Sequence, residues 1–317
     1  MKKEFIGPYK KYLNNYINYK RNLGFKYGNS QEYKLLEFDK YMSENNITTL
    51  TLDSIHYFIN SKDVSSNTKA TTATLLRGFT KYLFNENVID FILPERIYVT
   101  KRSKIPYIFT NEEINLFFET LKDFYPNCKF KNDIIFLCFL LLYCTGMRVG
   151  ECLSIKFNDI DFEQNIVTLY NTKNNVDRNI VINDYIIERI IYIKNEYKDK
   201  YMDNDYIFIR SDFTRYNSDS IYSIFKKIIY YSKIEKDGKT PRVHDFRFTF
   251  CVNCYKKLIE KENGQAYITV LSTYVGHKDF KSTEYYLKLV SELYPDIREK
   301  VEKYTSGIIR ELDDIYE

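Results

Sequence analysis

Five short segments of this chain carry residues suited to work on a phosphate. They are Arg148 in CTGMRVGE, Lys173 in the polar loop NTKNNVDR, His244 and Arg247 in HDFR, His277 in YVGHKD, and the adjacent Tyr285 and Tyr286 in STEYYLKLV. Breaking a phosphodiester without a metal needs cations around the phosphate, a nucleophile, and an acid for the leaving oxygen. Arginine meets the first need, because its guanidinium fork pairs bidentately with phosphate oxygens and stays charged. Tyrosine attacks poorly at its ordinary pKa of about 10 unless cations and an acceptor help it lose its proton. With 31 tyrosines in the chain, none stands out by its presence, whereas the histidines number three: His56, His244 and His277. Each piece alone has a plainer reading: an arginine in a surface ion pair, a satisfied core histidine, a solvated loop lysine.

The surrounding pattern says what must position these groups. Arg148 follows Thr145-Gly146, where a helix of about Asn132–Cys144 ends and the next begins, a place that aims a side chain into a cleft. Lys173 lies in the turn between two alternating stretches, Asn165–Tyr170 and Asn179–Ile182, which read as a strand pair. A capping box, Thr110-x-x-Glu113, opens the helical region before them. Helices follow at about 184–198 and 218–232, with a short strand at Tyr206–Ile209 between them, and the remainder is helical with a break near Pro295.

Upstream, four helices are expected. The first carries Tyr9, Tyr12, Leu13, Tyr16, Ile17 and Leu23 and closes at Gly24; the second, Ser30–Glu44, presents Tyr33, Leu36, Phe38 and Tyr41. The third, Leu52–Asn60, sets His56 on a Leu52/Ile55/Phe58/Ile59 surface, which reads as structural. The fourth, Asn67–Phe84, carries Lys69, Arg77 and Lys81. Helical periodicity fails from Val88 to Phe109, where Pro94 and Pro106 flank Arg96, Lys101, Arg102 and Lys104. That composition suits an extended linker with a basic face. The expected organisation is a helical domain over 1–90, a linker over 91–109, and a mostly helical domain with a small antiparallel sheet over 110–317.

Composition sets the outer limits. The 317 residues are 44% hydrophobic and 28% charged, enough for a packed core. A net charge of +4 permits a nucleic-acid partner without requiring one. The richest apolar run, Ile134–Tyr143, is about half the ~20 residues of a membrane-spanning helix and reads as a buried helix. The opening MKKEF lacks an apolar signal core, so a cytoplasmic protein without membrane association is expected. Six cysteines are too scattered for a disulfide scaffold. Cys251-x-x-Cys254 has no second pair at metal-ligand spacing and sits in the amphipathic stretch FTFCVNCYKKLI, which favours buried structural thiols over zinc.

In order, spacing and local context together, the segments between about 110 and 290 resemble the tyrosine recombinase and integrase family, Xer-like or transposon-encoded. The resemblance implies an N-terminal helical DNA-binding domain and a catalytic domain that clamp duplex DNA from opposite faces. It implies Tyr286 as nucleophile, nine residues after His277, with Tyr285 a packing neighbour. Arg148 and Arg247 then hold the scissile phosphate, Lys173 protonates the departing 5′-oxygen (Lys156 being a weaker rival), and His244 and His277 bond the phosphate or move the tyrosine's proton. Glu151 resembles the family's acidic residue that orients the site. The stretch FTFCVNC after Arg247 departs from the family, many of whose members carry a second histidine and small residues there. Lys69, Arg77, Lys81, Arg96, Lys101, Arg102, Lys104 and Arg178 are the expected DNA contacts. No metal or cofactor is implied; four copies on two DNA sites are, with the C-terminal helix at about 291–317 docking on a neighbour. The implied function is site-specific recombination through a 3′-phosphotyrosyl intermediate. The alternatives are a type IB topoisomerase-like nicking-closing enzyme and a DNA-binding regulator with an inactive site.

Overall fold

Apolar side chains recurring at helical spacing build the N-terminal part of the chain. In the computed structural model, which describes residues 4–25, 27–95, 98, 105–170, 177–201, 206–236, 238–260, 266–276 and 280–293, the chain divides into two units, 1–104 and 105–317. Unit 1 holds α1 (Lys10–Asn22), α2 (Asn29–Glu44), α3 (Leu52–Asn60) and α4 (Ser66–Asn85). Their buried faces meet in one core built on Leu13, Tyr16, Phe38, Ile55, Phe58 and Phe79. On α2 the inward face is Leu35, Phe38 and Met42, while Tyr33 is exposed. The expected stripe was therefore rotated by about one residue, since a tyrosine serves equally well at a wet rim. Asp39 is buried and accepts the backbone N–H groups of Ile6 (2.6 Å) and Gly7 (3.0 Å), which ties the N-terminal segment to α2. His56 Nδ1 lies 3.2 Å from the Tyr98 hydroxyl, in keeping with a structural role.

The segment expected as a linker is partly claimed by the units themselves. Leu93 is buried in unit 1, its N–H donating to Thr80 Oγ1 (3.0 Å), and Phe109 is buried in unit 2, its N–H donating to Thr249 Oγ1 (3.0 Å). Arg96, Lys101, Arg102 and Lys104 lie outside the described residues. On α4, Arg77 pairs with Glu95 (2.7 Å), Lys69 Nζ donates to Asn60 Oδ1 (3.4 Å), and Lys81 is exposed.

Unit 2 is arranged around α6 (Lys129–Thr145), which is apolar on nearly all sides and buried accordingly. Around it lie α5 (Asn111–Lys122), α8 (Asp184–Glu196), α9 (Ser218–Ser232) and α10 (Val243–Glu260). Phe117, Phe139, Phe225 and Phe246 interlock there, with Phe246 edge-on to Phe117 (5.1 Å) and Phe225 (5.5 Å). The capping box forms: Thr110 N–H donates to Glu113 Oε2 (2.8 Å) and Glu113 N–H to Thr110 Oγ1 (3.2 Å). Beside the one-turn α7 (Val149–Cys152) stands an antiparallel sheet, β1 (Ile160–Asp161), β2 (Ile166–Leu169) and β3 (Arg178–Val181). Its register sets Val167 opposite Ile180 and Leu169 opposite Arg178 on one face. The two residues of β1 were too few to show a period. Tyr206–Ile209 makes isolated bridges at its two ends rather than a strand, since Ile207, Phe208 and Ile209 are consecutively buried and do not alternate. α11 (Ala266–Val275) and α12 (Phe280–Leu293) pack with α10 in a second cluster. The expected helix at 291–317 lies almost wholly outside the described residues, and no described helix is long and apolar enough to cross a membrane.

α6 stops at Gly146, whose φ of +63° is in the left-handed region and whose missing Cβ would lie 2.5 Å from the Phe250 ring. Gly146→Ala should therefore lower stability by about 1–3 kcal/mol, combining left-handed strain with overpacking. At Gly150 an added Cβ meets nothing within 4 Å. Urea melts of the two alanine variants should show a loss at 146 and none at 150; equal melts would contradict this account of the turn.

Candidate active site

The turn at Gly146 leaves Met147 buried as an anchor and makes Arg148 the first residue before α7. One turn on, the Glu151 carboxylate folds back to accept the Arg148 backbone N–H (2.8 Å) and Arg148 Nη1 (2.7 Å). From β3, Arg178 adds two more bonds, Nη1 to Oε1 (3.0 Å) and Nη2 to Oε2 (2.8 Å). Burial alone would raise the Glu151 pKa. The bonds from Arg178 and Arg148 outweigh it and hold the carboxyl below its usual range, so the group stays ionised. Arg178, expected among the DNA contacts, is turned inward instead. Its side chain is only 9% exposed and both Nη groups are committed to Glu151. A signal was present: counting back by two from the inward Ile180 puts residue 178 on the same face.

α10 supplies the second cationic arm. Asp245, fully buried, accepts the Arg242 backbone N–H (2.7 Å) and fixes the helix start. Arg247, buried one turn later, donates to the carbonyls of Gly146 (2.7 Å) and Val275 (2.5 Å), joining the ends of α6 and α11. Arg148 Nη2 reaches the next carbonyl, Gly276 O, at 3.4 Å. Carbonyls hold a guanidinium in place without cancelling its charge. His244, one turn before Arg247, lies edge-on to Phe248 with ring centroids 5.2 Å apart. Desolvation of its ring and then the Arg247 charge, helped by Arg148 and Arg242 and opposed by Asp245, lower its pKa to about 4. His244 is exposed, so water tempers the first cause and the arginines carry the direction.

Tyr286 is buried at the meeting of α10 and α12, with Phe248 5.4 Å and Tyr255 6.0 Å from its ring. Burial and then the neighbouring Cys251 push its pKa above the ordinary value, and the nearby Arg247 charge opposes them. Tyr285 contacts Phe248 at 6.1 Å yet stays 37% exposed, less packed than expected of it. The Cys251 contact had no signal in the sequence. A cleft of about 930 Å³ opens beside these groups, lined by Arg148, Glu151, Lys156, Tyr206, Tyr222 and His244. Lys156 Nζ sits 4.9 Å from the Tyr206 ring. Lys173 and His277 lie outside the described residues, and among the described residues no cluster of three His, Cys, Asp or Glu could hold a metal. Cys251 is buried, Cys254 half-buried, and both are free.

The model of the phage integrase family matches residues 108–292, which span α5 to α12. The chain belongs to the phage integrase family. It is a tyrosine-type site-specific DNA recombinase. This recombinase is similar over most of its length to y4rB of Sinorhizobium fredii, with 24% identity over 313 residues covering 94% of this chain and 98% of the relative. It is 27% identical to tyrosine recombinase XerC of Pediococcus pentosaceus over 235 residues, 72% of each protein. Its fold is that of the XerH site-specific recombinase in a post-cleavage complex with palindromic difH substrate (TM-score 0.65, 20% identity, covering 83% of this chain and 76% of that one). A lambda integrase (75–356) dimer bound to a COC′ core site is similar at TM-score 0.66 with 16% identity, covering 87% of this chain and 94% of that one.

The depressed pKa makes His244 neutral in the recombinase at neutral pH. Because the folded value lies below the unfolded one of about 6.5, the unfolded state binds more protons on acidification. The stability held by neutral His244 is therefore complete above pH 6.5 and is lost as pH falls toward 4. Proton NMR of the imidazoles should find a resonance, absent in His244→Gln, that titrates well below the ordinary histidine value of about 6.5, and the variant should lose less stability over that window. A His244 midpoint near 6.5 would contradict the described surroundings.

Proposed function

We propose that this recombinase cuts and rejoins duplex DNA with Tyr286 as nucleophile, held to its task by Arg148, Arg247 and His244. The observation that supports the reading is convergence. The α6–α7 turn, α10 and α12 bring two arginines, a histidine and a tyrosine together, and one arginine bonds the turn while its charge acts on the tyrosine. The Tyr286 oxygen attacks phosphorus, the bond to the 5′-oxygen breaks, and a 3′-phosphotyrosyl link remains. Lys173 protonates the leaving oxygen, with Lys156 at the cleft wall as the alternative donor. His244, neutral, accepts the phenol proton or bonds a phosphate oxygen, and His277 shares this duty. The 5′-hydroxyl of a partner strand then attacks the same phosphorus and expels the tyrosine. The link conserves the energy of the broken bond, so neither ATP nor metal is needed.

The resting geometry is not the reacting one. Tyr286 lies inside the protein with a raised pKa, so α12 must turn it toward the cleft, where phosphate-bound arginines favour its phenolate. Exchange between two duplexes involves four strands, each needing a nucleophile, which is the reason to propose a tetramer on two sites. Lys69, Arg77 and Lys81 along α4, together with Arg96, Lys101, Arg102 and Lys104, are proposed phosphate contacts. A cytoplasmic enzyme of a transposon, an integrative element or an Xer-type resolution system fits this chemistry.

A nicked suicide substrate, whose short cut strand diffuses away, reads the nucleophile directly. Tyr286→Phe should abolish the covalent adduct while binding DNA normally, and Tyr285→Phe should keep it; the opposite result would move the nucleophile to 285. Arg148→Ala should bind DNA and react about 10²–10³-fold more slowly. Adduct formation should survive EDTA, and loss on chelation with recovery in magnesium would point to a different reaction. DNA affinity should fall with salt at a log–log slope of about −0.9 per neutralised phosphate.

A further inference from the structure

We infer that Arg178 is a positioning residue for strand cleavage, gripping Glu151 so that this carboxylate aims Arg148 without neutralising it. The inference rests on the recombinase reading above and adds a residue to it. Glu151 receives four bonds, two at each oxygen: Oε1 from Nη1 of Arg148 and Nη1 of Arg178, and Oε2 from the Arg148 backbone and Nη2 of Arg178. Without Arg178, a lone Arg148–Glu151 pair would cancel its own charge and turn the Arg148 fork away from an incoming phosphate. With Arg178, two guanidinium groups share one carboxylate, and the cluster keeps a net positive charge on its cleft side. That side belongs to Arg148, whose side chain is 27% exposed against 9% for Arg178.

Three more observations fit a positioning role and no direct one. Arg178 begins β3, shortly after Lys173 in the sequence. Its guanidinium fills the space where a Cβ on Gly276 would stand, with Nη1 only 2.9 Å from that point; Gly276 has φ +70° and accepts from Arg148 Nη2. One side chain thus spans the hairpin, α7 and the turn that precedes His277. Finally, Arg178 Nε is buried and has no hydrogen-bond partner among the described residues. A buried unmet donor is costly, and a methionine of similar length would avoid that cost. Retaining arginine at that cost fits a need for its charge and fork rather than for its bulk.

The test measures single-turnover cleavage of a suicide substrate, DNA affinity and thermal melting for Arg178→Met, Arg178→Lys, Arg148→Ala and the Met/Ala double variant. Arg178→Met should cleave about 10- to 100-fold more slowly, the range for losing a group that orients a reacting one, with DNA affinity unchanged. Arg178→Lys should recover only part of the rate, because one ammonium does not make both bonds. In the Arg148→Ala background, Arg178→Met should remove little more, since the two act as one unit. Wild-type cleavage by Arg178→Met, a loss arising wholly from weaker DNA binding, or losses that multiply fully in the double variant would each overturn the inference. If Arg178→Met does not melt cooperatively, Arg178→Lys decides alone: a rate equal to wild type overturns it, and slowed cleavage with unchanged affinity supports it. Failure of the wild-type protein to form any adduct would instead overturn the recombinase reading.

Discussion

One buried guanidinium holds the reacting region together. Arg247 bonds the carbonyl that ends α6 and the carbonyl that ends α11, and its charge acts on the hydroxyl of Tyr286. Burying a cation is costly unless its hydrogen bonds are met. Here neutral carbonyls meet them, so the charge is positioned yet left uncancelled by those bonds. A phosphate entering the cleft would find a cation already desolvated and fixed, the condition under which electrostatic stabilisation is strongest. The same bonds explain why the Gly146 turn matters: the residue that offers its carbonyl to Arg247 also sets the direction of Arg148 two positions later.

The two cationic arms differ in kind. Arg247 is locked by backbone carbonyls at the ends of two helices, whereas Arg148 is held by a carboxylate that is itself shared with Arg178. A fixed charge and a more exposed, steered one suit a substrate that must be gripped, cut and passed to another strand. Tyr286 is the opposite case. Its burial beside Cys251, whose thiol is pushed up to about 12 by its own burial, keeps the phenol protonated in this conformation. If Tyr286 is the nucleophile, as proposed, the raised pKa disfavours its attack from this position.

Behind the site, the rigidity comes from packing. α6 is sheathed on almost every side, and the four interlocked phenylalanines brace α5, α9 and α10 against it. Interiors packed in this way have low compressibility, so Arg148 and Arg247 start from a stable base, while α12 is the element that the proposed reaction would have to move.

Most of the fold was legible in the residues themselves. The Thr110–Glu113 capping box, the stop at Gly146, the hairpin strands and the burial of Ile134–Tyr143 all follow from local chemistry: which side chains cap a helix, which residue accepts a positive φ, and which runs cannot face water. Arg148, His244, Arg247 and Tyr286 were singled out through the resemblance of their motifs to the recombinase family. Only the tertiary structure decided how charges and hydroxyls are shared among them. Glu151 and Arg178 are separated by a hairpin, and whether Arg178 faces solvent or Glu151 depends on strand register, which pairing fixes and composition does not. The burial of Tyr286 beside Arg247 and Cys251, with Tyr285 left at the surface, depends on how α12 lies on α10. Sequence specifies the groups because chemistry depends on residue type; their pKa values and partners arise from distances set by chain segments that meet only after folding.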